Sequence, residues 1–119
     1  MGSSVLSMRG NREKTLDEVI EALLHKVDGE LVLKKVRGGA CYRVGLLVFE
    51  KYYFRNGSYA NLTVMVTDDG NEQIADIIGS GGGEGIFNFS WGANTDFSYM
   101  AMEVLKTVGF SVQESKDGD

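Results

Sequence analysis

The sequence predicts an α+β fold: a two-layer sandwich in which an antiparallel meander sheet of four to five strands carries two helices on one face. Three observations lead there. An apolar stripe at helical spacing runs from Leu16 to Val27. β-Branched and aromatic segments, separated by glycine-bearing turns, fill the chain from Glu30 to Gly79. A second helical stripe runs from Phe97 to Val108. At 119 residues the length fits one domain with a core of its own.

Leu16, Val19, Ile20, Leu23, Leu24 and Val27 define the first stripe. Thr15 and Glu18 have the spacing of a capping box, each side chain meeting the other's backbone N–H, and Gly29 marks a stop. The strands then follow as ELVLKKV, CYRVGLLVFEKYYF, YANLTVMVT and EQIADIIG. Asn56-Gly57 between the second and third is a hairpin signal, because a type I′ turn needs positive φ at both central residues. In the third strand Ala60, Leu62, Val64 and Val66 fall on one face, with Tyr59, Asn61, Thr63, Met65 and Thr67 on the other. Phe87, Phe89 and Trp91 alternate as an aromatic lid. Asn94 or Thr95 caps the second helix, Asp96 lies in its first turn, and Gly109 follows its end. FSVQE adds a short last strand. Residues 1–13 read as a disordered arm or cloning remnant, 14–113 as the single domain, and 114–119 as a disordered acidic tail.

Composition narrows the function. The formal net charge of −5 argues against a nucleic-acid partner, and Lys34, Lys35, Arg37 and Arg43 read as the solvated edge of a sheet. One cysteine, Cys41, and one histidine, His25, supply neither an internal disulfide nor a zinc site, so no metal and no cofactor is expected. No apolar run approaches the roughly 20 residues of a membrane helix. A cytoplasmic protein with no membrane partner is expected.

The span GSGGGEG, Gly79 to Gly85, places five glycines in seven residues. It matches neither the dinucleotide fingerprint, which needs glycine where Glu84 or Ile86 stands, nor the P-loop, which needs a following Gly-Lys-Ser/Thr. The spacing favours a backbone-shaped bend, the alternative being a small-ligand pocket rimmed by Ser80, Gly82, Glu84, Asn88, Trp91, Asn94 and Asp96. No catalytic residue stands out: His25 lies opposite the apolar stripe, Cys41 has no histidine near it, and Asp76 sits in a strand with an exposed face. Phe49, Tyr52, Tyr53, Phe54 and Tyr59 place rings on both faces near the Asn56-Gly57 tip, more than helices on one face can cover. Either the rings cover one another across strands, or the chain self-associates as a homodimer.

From Tyr52 to Phe110, through GSGGGEG and the segment IFNFSWG, the chain resembles a small bacterial family of unknown function. That resemblance implies a strand, a glycine loop, an aromatic segment and a final helix, and no activity or site residue. The functional expectation is a non-catalytic binding or protein-interaction module, the alternative being a small-ligand binder or weak enzyme at the glycine loop and the N-terminus of the second helix.

Overall fold

The computed structural model describes residues 3–54, 57–81 and 92–113. Six strands and two helices follow in the order β1 (Ser3–Gly10), α1 (Leu16–Lys26), β2 (Glu30–Gly38), β3 (Arg43–Tyr53), β4 (Ser58–Asp68), β5 (Gln73–Gly81), α2 (Gly92–Lys106) and β6 (Phe110–Val112). They form one antiparallel open sheet in the order β2-β3-β4-β5-β1-β6, with both helices against one face. The α+β class and the four-stranded meander match expectation. The sheet has six strands rather than four or five.

The added strand comes from the segment expected to be a free arm. Ser3–Gly10 lies inside the sheet, paired with β5 from Ser3↔Ser80 to Gly10↔Gln73 and with β6 from Met8↔Val112 to Gly10↔Phe110. Met8 is fully buried and Leu6 packs against the core. Only these two large side chains face inward, too short a pattern to distinguish a strand from a small polar tail. The strand exists because β5 and β6 each offer it a row of backbone partners.

The register fixes two faces. Met8, Leu47, Phe49, Ala60, Leu62, Val64, Val66, Ala75 and Ile77 turn inward and are at most 1 % exposed. Against them lie Leu16, Val19, Ile20, Leu23 and Val27 of the first helical segment, and Phe97, Ala101, Leu105 and Val108 of the second. The capping box forms as expected: Thr15 Oγ1 accepts from the Glu18 N–H at 3.1 Å, and Glu18 Oε1 accepts from the Thr15 N–H at 2.9 Å. That amide is the main reason the Glu18 carboxyl titrates below its ordinary value.

Glycines mark where backbone and side chains meet closely. A Cβ at Gly45 would stand 2.7 Å from Ile20 Cδ1, so the bare backbone of β3 is what lets α1 seat its isoleucine. Gly29 does not cap α1: the helix ends at Lys26, Val27 is its C-cap, and Gly29 makes room for the Phe97 ring, 2.7 Å from where a Cβ would stand. Gly109 has φ 94, a left-handed conformation that closes the chain after α2 as expected. Helix α2 starts at Gly92, so Asn94 and Thr95 lie inside it rather than at its cap, and Asp96 falls beyond its first turn rather than within it. The chain also stays extended further into the glycine cluster than expected. Gly79, Ser80 and Gly81 belong to β5, opposite Leu62, Asn61 and Ala60.

Candidate interaction surface

With both helices on one side, the other side of the sheet is left to the alternating outward residues. Read across the strands, the register sets them in rows. One row is Lys35, Leu46, Met65, Asp76 and Ser7; the next toward the tip of the β3–β4 hairpin is Leu33, Val48, Thr63, Ile78 and Val5; on the other side lie Arg37, Val44, Thr67, Ile74 and Arg9. The centre of this face is apolar and partly open to water, with Met65 38 % and Ile78 39 % exposed. Among the described residues no helix covers it.

The surplus rings predicted from the sequence divide between the faces. Phe49 is in the core, whereas Tyr52 and Tyr59 stand opposite one another on the open face with ring centroids 4.9 Å apart. Phe54 meets Tyr52 edge-on at 5.1 Å and is 89 % exposed. Cross-strand ring cover therefore occurs, and it leaves substantial aromatic surface open.

A second grouping closes one end of the core. Arg43, Asp68, Gln73 and Gly10 form the last inward-facing row. Asp68 accepts from Arg12 Nε at 3.1 Å, from the Gly70 N–H at 2.9 Å and from Gln73 Nε2 at 3.0 Å, and Gln73 Nε2 also donates to the Lys14 carbonyl. Burial works to raise the Asp68 pKa, but the hydrogen bonds from Gln73 and Gly70 and the Arg12 charge outweigh it, leaving the carboxyl below its ordinary value. A carboxylate so committed is a poor proton acceptor. Its role is to tie the segment after β1, where Arg12 takes φ 64, to the β4–β5 turn. In that turn Asp69 Oδ1 accepts from the Asn71 and Glu72 amides, which lower its pKa. Nothing in the sequence singled out Arg12, Asp68 and Gln73, because their meeting depends on β1 joining the sheet.

The candidate ligand site is only partly within view. Ser80 lies on the open face opposite Asn61, and Asn94 and Asp96 belong to the backbone of α2. Gly82, Glu84, Asn88 and Trp91 fall outside the described residues, as do the rest of the glycine cluster and the aromatic lid. A cleft of about 320 Å³ lies at the opposite end of β5, lined by Arg9, Gly10, Asn11, Asn71, Glu72, Gly109 and Ser111. Its two charged side chains pair with each other at 3.3 Å, and both are substantially exposed. That is a poor start for gripping a small molecule.

The remaining candidates stand apart. His25 is exposed on the outer face of α1, 3.6 Å from Glu21, and Cys41 is exposed in the β2–β3 turn. Asp76 is half-buried on the open face and accepts from Ser7 Oγ at 2.6 Å. Among the described residues no three His, Cys, Asp or Glu side chains are placed to hold a metal, and no helix is long and apolar enough to cross a membrane.

A model for a family of unknown function, DUF6054, matches residues 1–109. The chain belongs to this family. The match includes the N-terminal strand and extends well beyond the Tyr52–Phe110 stretch that carries the resemblance in the sequence. No curated protein and no solved structure matches the chain. No activity comes to the chain from relatives.

Proposed function

We propose that this DUF6054 protein is a non-catalytic interaction module whose working surface is the open face of its sheet. The observation that carries this reading is the apolar centre formed by Leu46, Val48, Met65 and Ile78 on a face that no described helix covers. A monomeric domain gains nothing from leaving such a patch in water, and contiguous apolar surface rimmed by polar residues is characteristic of binding sites. Lys35, Arg37, Glu50 and Asp76 surround this centre. The saturated hydrogen bonding of Asp68 and the separation of His25, Cys41 and Asp76 add to the non-catalytic reading. An exposed thiol suits the reducing cytoplasm.

Site-specific photo-crosslinking in cells tests the surface without assuming its occupant. A photoreactive residue at position 65 is expected to yield crosslinked species heavier than the monomer, and one at position 21, on the outer face of α1, is not. No heavier species at 65, or equal yields at both positions, overturns the reading.

A further inference from the structure

Resting on the reading of the open face as an interaction surface, we infer that its occupant is a second copy of this chain. The two sheets meet face to face about a two-fold axis that runs parallel to the strands between β3 and β4, setting Lys35 of each copy against Asp76 of the other.

The inference starts from the row Lys35, Leu46, Met65, Asp76. Its charges lie at the two ends of an apolar pair, on β2 and β5. Three strand spacings separate them, about 14 Å, too far to pair within one chain. Among the described residues Lys35 forms no ion pair. An axis between β3 and β4 exchanges β2 with β5 and β3 with β4 while keeping each row level. Lys35 then faces the partner's Asp76, and Leu46 faces the partner's Met65. Facing sheets are about 10 Å apart, a gap that a lysine and an aspartate side chain together span.

The neighbouring rows agree with the same operation. Leu33 comes opposite the partner's Ile78, Val48 opposite the partner's Thr63, Val44 opposite the partner's Thr67, and Tyr52 opposite the partner's Tyr59. Glu50 meets the partner's Asn61, and Arg37 meets the partner's Ile74, so no like charges are brought face to face. The other face-to-face two-fold, perpendicular to the strands and running along this row, sets Lys35 on Lys35 and Asp76 on Asp76. Charge repulsion rejects it. The overlap is four strands wide and about 30 Å long, roughly 600 Å² in projection, close to the ~800 Å² that one partner contributes to a standard interface. The usual inclination of about 30° between packed sheets moves the two ends of the central row, about 7 Å from the axis, by only about 4 Å relative to the facing residues, within reach of a lysine.

Analytical ultracentrifugation of the full chain, with Lys35→Asp, Asp76→Lys and the two combined, tests this geometry. The wild type is expected to dimerise. Each single variant, which sets like charges opposite one another twice, should weaken dimerisation by at least about tenfold. The double variant should restore it. An equimolar mixture of Lys35→Asp and Asp76→Lys should form heterodimers, because both facing pairs are then complementary, and misfolded chains cannot produce that result. A wild type that stays monomeric at high concentration, a double variant no tighter than the singles, or a mixture without heterodimer overturns the inference. Leu46→Glu separates this from failure of the underlying reading. If it abolishes dimerisation while the charge variants do not, the face is the interface and this geometry is wrong. If the wild type is monomeric yet position 65 still crosslinks to a heavier species, the face binds another partner.

Discussion

Replacing Gly45 with alanine should destabilise the protein through one identifiable contact. The new methyl would stand 2.7 Å from Ile20 Cδ1 and 3.4 Å from Ile20 Cγ1, where carbon atoms prefer about 3.5–4.0 Å. Ile20 is only 2 % exposed and sits between α1 and the sheet, so its end cannot swing into solvent. Overpacking of this kind costs about 1–3 kcal/mol, and the reduced freedom of the unfolded chain returns about 0.4–1 kcal/mol. The expected net loss is about 1–2 kcal/mol. For 119 residues the unfolding entropy is about 0.25 kcal/mol per degree, so Tm should fall by about 4–8 °C. Ile20→Val, which removes the clashing methyl, should cost about 0.5–1.5 kcal/mol alone. In the double variant the alanine methyl occupies the vacated space, and the combined loss should be smaller than the sum by about 1 kcal/mol. Urea denaturation of the four proteins, followed by circular dichroism, measures the cycle. Losses that add to within about 0.3 kcal/mol would refute the claim that this contact explains the glycine.

Further outcomes follow from the same structure. Deleting residues 1–10 should abolish cooperative thermal unfolding, because β1 lies between β5 and β6 in the sheet and carries the buried Met8; a disordered arm could be removed without effect. Asp68→Asn should cost about 1–3 kcal/mol at neutral pH in chemical denaturation, since three donors lose their charged acceptor. The folded pKa of Asp68 lies below the ordinary 3.8, so the native state binds fewer protons than the unfolded one and the group's contribution is present above that value. That contribution is lost as pH falls through the folded pKa, and Tm measured from about pH 5 downward should fall less steeply in Asp68→Asn than in the wild type. Thr15→Ala removes half of the capping box and should lower stability by about 1 kcal/mol in a urea titration, with Thr15→Ser recovering most of it.

Much of this architecture could be read from the chain because it is encoded over short distances. The stripe from Leu16 to Val27, the Thr15–Glu18 cap and the alternation from Tyr59 to Thr67 repeat within a few residues, and each pattern suits one element and no other. Gly57 and Gly109 were legible for the same reason: both take the positive φ their turns require. Boundaries were less so. β5 continues through Gly79 to Gly81 because β4 and β1 supply partners there, although glycine itself favours no strand.

What the sequence alone determined is therefore local: two amphipathic helices, a meander of strands, and an inward and an outward side for each strand. Only the tertiary structure decided that the N-terminal segment enters the sheet, that Arg12, Asp68 and Gln73 meet at the end of the core, and that Lys35 shares a row with Asp76. Those outcomes depend on register between segments far apart in the chain, such as Ser7 with Asp76 and Met8 with Val112. Hydrophobic periodicity tells a strand which side to bury; which strand lies next to it is settled by backbone hydrogen bonds and packing that exist only once the sheet has formed.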